Sequence, residues 1–123
     1  MLLERLGKEL LFFDGGMGTL LQAEGLQPGE LPETWNIERK ETIRKIHQSY
    51  FEAGSDIVLT NTFGANALKF HDENCSLKAI IDAAVENVRF WSKGGDQRWA
   101  RLLCCFGYRT DWKIVKTFGR PVF

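Results

Sequence analysis

The stretch Leu10–Leu21, "LLFFDGGMGTLL", sets an unbroken apolar run against one carboxylate and three glycines. Leu10–Phe13, closed by Asp14-Gly15-Gly16, has the pattern of a short strand buried on both faces, as in a parallel sheet. Met17–Glu24 can then start a helix, with Gly25 as its stop. An acid and bare backbone therefore stand at the carboxyl edge of a strand, where α/β folds place their ligands. Two readings of Asp14 follow. It either caps the next helix, or it faces a small molecule that Gly15, Gly16 and Gly18 allow to approach the main chain. A phosphate loop is disfavoured, because no lysine follows the glycines.

The pattern repeats downstream. Lys40–Ala53 carries Ile43, Ile46, Tyr50 and Phe51 at helical spacing and ends at Gly54. "DIVLTNTF", Asp56–Phe63, is rich in β-branched residues and reads as the second buried strand. Leu77–Arg89 is a further helix, with Leu77, Ile80, Ile81, Ala84, Val85 and Val88 on one face. Leu2–Glu9 reads as a short helix, and "LQPGELPETWNIER" and Gly64–Ser76 read as loops. Strand, helix, strand, helix, with both strands apolar throughout, implies an α/β fold with a parallel sheet and right-handed crossovers.

Thr60, Asn61 and Thr62 end the second strand at the same edge as Asp14. Their side chains can bond a carboxylate, an amide or a sugar hydroxyl, or they can close the turn into the next element. His47 is expected near the surface of its helix and His71 in a loop, neither with an acid or cysteine at ligand spacing.

Composition sets the class. The chain has 123 residues, 44% hydrophobic and 26% charged, within the range of one soluble globular domain. No apolar run is long enough to span a membrane, the amino terminus lacks a cleavage site, and three cysteines suit a reducing compartment, so a cytoplasmic location is expected. The zero net charge is divided: residues 1–89 hold 9 Lys and Arg against 14 Asp and Glu, and residues 90–123 hold 7 against 2. Trp91, Trp99 and Trp112 also fall in that tail, which keeps no steady period.

"FFDGGMGTLLQ", "GELPETWNI" and "IHQSYFEAGSDIVLTNTFGAN" together resemble the opening of the homocysteine S-methyltransferase family. Within that family the likeness is to the amino-terminal homocysteine-binding domain of cobalamin-dependent methionine synthases. The resemblance spans Leu10–Arg89. It implies that residues 1–89 are the amino-terminal part of a (β/α)8 TIM barrel, its first two βα units. It further implies that homocysteine is the substrate, that its ammonium group pairs with Asp14, and that Gly15 and Gly16 keep that approach open. Asn61, Thr62 and Phe63 would line the same mouth. The family's chemistry is methyl transfer to a zinc-bound homocysteine thiolate, with cobalamin as methyl donor in the methionine synthase type.

The family binds its zinc through one cysteine and a later adjacent pair. Cys75, Cys104 and Cys105 imitate that count, but Cys75 stands too early and "RLLCCFG" lacks the glycines that precede the pair. They are not read as zinc ligands, and no catalytic residue is assigned. The chain is expected to be inactive alone, because such a barrel takes about 250 residues to close. Its partners would be the remainder of a barrel or other methionine synthase modules.

The tail has a separate explanation. Back-translated and read one base later, "FGYRTDWKIVKTF" can become LDIGPTGKLLKPL, close to what this family carries after its second helix. A change of reading frame near Arg89 or Phe90 would account at once for the reversed charge, the tryptophans and the lost period. The alternative is a noncatalytic module or fragment that binds a partner chain through a basic aromatic tail. Nucleic acid is disfavoured as that partner, because the tail's charges form no stripe and match no known motif.

Overall fold

Two carboxylates staple the first two strand segments together. Asp56 Oδ2 accepts from the Phe12 amide at 3.1 Å, and Asp14 Oδ2 accepts from the Leu59 amide at 3.0 Å. Between these points run backbone bonds from Asp14 N to Ile57 O at 2.9 Å and from Ile57 N to Phe12 O at 3.1 Å. Phe13 and Ile57 thus form a parallel bridge. This computed structural model describes residues 5–72, 75–92 and 104–105 of the chain.

The elements are α1 (Met17–Ala23), a 3-10 turn (Pro32–Thr34), α2 (Trp35–Glu38), α3 (Lys40–Glu52), β1 (Val58–Leu59), β2 (His71–Asp72), β3 (Cys75–Ser76), α4 (Leu77–Ser92) and β4 (Cys104–Cys105). β1 pairs in parallel with β4, Val58 opposite Cys104 and Leu59 opposite Cys105. β2 and β3 form a small antiparallel pair, His71 opposite Ser76. Parallel neighbours separated in sequence by helices are the expected α/β arrangement.

Turn chemistry sets the helix ends. Gly25 and Gly54 follow α1 and α3 with φ of 104° and 106°, values that favour glycine over residues carrying a Cβ. α3 buries Ile43, Ile46, His47 and Phe51 on one face. The first core cluster joins Leu21, Leu26, Trp35, Ile43 and Ile46. A second joins Phe51, Val58 and Val88, which seats α3 and α4 on β1. A third joins Ala65, Phe70 and Ile80 under the β2–β3 pair.

Several expectations require correction. Leu10–Phe13 forms one bridge rather than a buried strand, and Leu10, Phe12 and Phe13 are exposed, because no described element covers them. The regular part of the second strand is only Val58–Leu59, since Thr60 turns back to receive the Thr62 amide on its carbonyl at 2.8 Å. The stretch read as a surface loop holds the 3-10 turn and α2, with Glu33, Trp35 and Asn36 buried. Trp35 carries that segment inward, and the Arg39 guanidinium lies over its ring at 4.4 Å. Gly64–Ser76 buries Ala65 and Phe70. His47 is not near the surface but fully enclosed, since the apolar face of α3 is wider than the sequence spacing suggested.

At the amino end the described residues show a single turn, in which the Lys8 and Glu9 amides reach Arg5 O at 3.0 and 3.2 Å. α4 runs three residues past Arg89, and Trp91 Nε1 donates to Arg44 O at 2.9 Å. Other than residues 90–92 and the two paired at β4, the tail (90–123) lies outside the described residues. His71 has a described backbone only. Among the described residues no helix is long and apolar enough to cross a membrane.

Candidate functional site

Asp14 sits where the first strand segment turns into α1. The helix begins at Gly16, with no side-chain cap, so the capping reading of Asp14 fails. Its carboxylate reaches sideways instead. Oδ2 takes the Leu59 amide, extending the pairing between the strand segments by one rung through a side chain. Oδ1 is buried and has no partner among the described residues. Burial pushes the Asp14 carboxyl above its ordinary range, opposed by the hydrogen bonds from the Leu59 amide and from its own. A buried, unpartnered carboxylate oxygen lacks the compensation that such groups normally have. An incoming cation or N–H donor would supply it.

The glycines have distinct reasons. A Cβ on Gly15 would stand 2.9 Å from the Tyr50 hydroxyl, which donates to Gly16 O at 3.1 Å. Gly15 therefore makes room for a tyrosine from α3, which in turn fixes the Asp14 turn. A Cβ on Gly16 would meet Thr19 Oγ1 at 3.2 Å, and one on Gly18 would meet nothing within 4 Å. The openness read from the sequence is thus partly taken up by the protein itself.

The second cluster follows β1 directly, on the same edge. Its polar side chains point largely into the protein. The Thr60 and Thr62 hydroxyls bond each other at 2.9 Å, and both residues are buried. Asn61 Nδ2 donates to Pro32 O at 2.7 Å, and Asn36 Nδ2 donates to Asn61 O at 2.7 Å. Asn87 Nδ2, from α4, donates to Asn36 O at 2.9 Å, and Arg44 Nε donates to Asn87 Oδ1 at 3.1 Å. Phe63 alone projects, at 84% exposed. The Leu59 amide on Asp14 brings the two clusters together, one residue before Thr60. The edge thus holds one buried carboxylate oxygen without a partner among the described residues, the backbone around Gly15 and Gly16, and the exposed Phe63 ring.

Sequence reasoning missed Tyr50, Glu33, Asn36 and Asn87. In the sequence Tyr50 is one member of a helical apolar stripe. Glu33 and Asn36 lay in a segment read as a loop, although Pro32 before an acid is a helix-start signal.

Among the described residues no group of three or more His, Cys, Asp and Glu side chains could hold a metal ion. Cys75 packs against the Ala65–Phe70–Ile80 cluster. The described side chains therefore do not offer zinc a donor set.

The family described as homocysteine S-methyltransferase matches residues 11–110, a span that runs past Arg89. A methionine synthase of Mycobacterium tuberculosis is 40% identical over 77 residues, covering 58% of this chain and 6% of the synthase. Homocysteine S-methyltransferase 1 of Arabidopsis thaliana is 32% identical over 92 residues, covering 65% of this chain and 28% of that protein. The chain thus spans only a small part of these curated relatives. The homocysteine methyltransferase MmuM from Escherichia coli, in its metallated form, superposes with a TM-score of 0.68 at 22% identity, over 94% of this chain and 49% of that one. Its oxidised form gives 0.69 at 24% identity, over 98% and 51%. At that identity the likeness is one of fold.

Proposed function

The chain belongs to the homocysteine S-methyltransferase family, and from that premise we propose that its Asp14 edge is one side of a homocysteine site in a barrel-type methyltransferase domain. The observation that carries this is the divided work of the Asp14 carboxylate. Oδ2 is fixed by the Leu59 amide, and Oδ1 is left buried and unpartnered at the carboxyl edge of parallel strand segments. The ammonium group of an amino acid is a fitting partner for that oxygen. It supplies a charge-assisted hydrogen bond to an acceptor already held in place.

Gly15 and Gly16 bring the substrate's amino-acid end against the main chain, and Phe63 offers an apolar surface to its methylene groups. The Tyr50 hydroxyl on Gly16 O keeps the turn from collapsing into that space. The chain's own residues thus bind and orient; they are not assigned the activation of the thiol. Zinc, which this family's chemistry implies, makes a thiol nucleophilic by holding it as thiolate. In the methionine synthase type cobalamin carries the methyl group, and none of the described residues is assigned to it. In this reading residues 1–89 supply the first two βα units of a (β/α)8 barrel, and the chain by itself turns over no substrate.

The test is a titration of the uniformly 15N-labelled full chain with homocysteine, followed by amide shifts. Perturbation is expected at residues 14–16 and 59–64. It should weaken about tenfold or more in Asp14→Asn, and likewise with 4-mercaptobutanoate, which lacks the amine. Because burial raises the Asp14 carboxyl, binding should fall away on acidification before an ordinary aspartate would protonate. Equal binding of the amine-free analogue, or shifts scattered away from Asp14, would refute the assignment.

A further inference from the structure

The motif "LPETWN", Leu31–Asn36, has no place in the site as drawn so far, yet its Glu33 is a charged side chain with only 3% of its surface exposed. Burying a carboxylate is costly unless it is put to use. Its use is specific: the Gly64 amide donates to Glu33 Oε1 at 2.6 Å. A Cβ on Gly64 would stand 2.7 Å from that same oxygen and 3.1 Å from Lys69 Nζ. Only a glycine admits the carboxylate at this distance without displacing a side chain.

Two further bonds tie the same segments at the other end of the turn. Asn61 Nδ2 donates to Pro32 O, and Asn36 Nδ2 donates to Asn61 O, each at 2.7 Å. Residues 32–36 therefore grip residues 61–64 at both ends, and Asn87 on α4 holds Asn36 from behind. Phe63, the one strongly exposed side chain of the turn, lies between the gripped points.

We propose that Glu33 is a positioning residue of the homocysteine site, fixing through the Gly64 amide the turn 61–64 that carries Phe63. This rests on the reading of the Asp14 edge as that site. Glu33 touches no substrate in this scheme. Its remaining oxygen, Oε2, is buried and has no partner among the described residues. Glutamine at this position therefore keeps the acceptor for Gly64, removes the buried charge and exchanges one unsatisfied atom for another.

The experiment uses the full 15N-labelled chain and two readouts, amide exchange and homocysteine titration. Glu33→Ala is expected to lose exchange protection at Gly64 and Asn61, and to bind homocysteine about tenfold more weakly, with α3 and α4 amides unchanged. Glu33→Gln should keep Gly64 protected and bind within about twofold of the parent, a rescue that a merely charge-dependent role would not give. Parental binding by Glu33→Ala, or an equal loss in Glu33→Gln, overturns the proposal. If Glu33→Ala loses protection throughout α3 and α4, Gly64→Ala presses on the same contact from the other side. Unchanged homocysteine shifts in that variant also overturn it. If the parent chain shows no homocysteine shifts at all, the substrate reading falls. The grip on the turn is then judged on exchange, where continued protection of Gly64 in Glu33→Ala refutes it.

Discussion

Gly15 and Tyr50 give the sharpest test of how the Asp14 turn is built. Gly15 is not among the glycines with positive φ, so alanine there suffers no backbone strain. Removing a glycine would by itself stabilise the chain by roughly 0.4–1 kcal/mol through the unfolded state. The new Cβ, however, falls 2.9 Å from the Tyr50 hydroxyl and 3.3 Å from its Cε1. Tyr50 packs against two core clusters, so its ring has little room to retreat. Overpacking of this kind costs about 1–3 kcal/mol, and displacing the hydroxyl from Gly16 O costs about 1 kcal/mol more. The clash outweighs the entropy gain, and Gly15→Ala should destabilise by about 1–3 kcal/mol. Tyr50→Phe alone should cost about 1 kcal/mol. In the double variant the atom at 2.9 Å is gone and the next, at 3.3 Å, needs only a small shift, so the two costs should fall short of their sum by about 1 kcal/mol or more. Urea denaturation followed by circular dichroism measures all three. Strict additivity, or a Gly15→Ala variant more stable than the parent, would show that Tyr50 does not set the turn.

Two other outcomes follow from particular groups. His47 is fully buried, neither ring nitrogen has a partner among the described residues, and desolvation lowers its pKa to about 4 from the ordinary 6.5. The unfolded chain then binds more protons than the folded one between those values, so stability is full above pH 6.5 and falls by about 3 kcal/mol as the pH drops to 4. His47→Leu should remove most of that slope in urea melts at stepped pH, and an unchanged slope would exonerate the histidine. The nucleotide sequence across codons 89 and 90 should show a coherent family-like frame one base over through the tail; an unremarkable coding pattern in the present frame would count against the shift.

How much was legible in the sequence varies with the physics involved. The helices at Met17, Lys40 and Leu77 were readable because their signal is local, a glycine stop for the first two and an apolar period for the last two, with the observed ends within three residues of those expected. The parallel relation of Phe13 to Ile57 followed from two apolar runs separated by a helix. What could not be read was partnership. Nothing local says that Asn61 turns its amide toward Pro32, or that Glu33 is spent on a backbone amide 31 residues away. Buried polar groups find partners at long sequence separation, and a single chain holds no periodic trace of that choice. The exposure of Leu10 and Phe13 has a simpler cause. An apolar run states what a segment would bury, not whether a neighbour is there to cover it.

The same logic bears on how the Asp14 edge keeps its geometry on so short a stretch of chain. An edge held only by loops could be expected to lose its shape when its neighbours are removed. Here the Asp14 carboxylate is part of the sheet: Asp14 Oδ2 occupies a rung of the strand pairing, with the opposite end closed by Asp56 on the Phe12 amide. Displacing Asp14 would therefore break a rung that holds two strand segments together. The turn after β1 is likewise fastened to α2 and α4 through Asn36 and Asn87 rather than to elements further along the chain. The Asp14 edge is thereby held by contacts within residues 12–87.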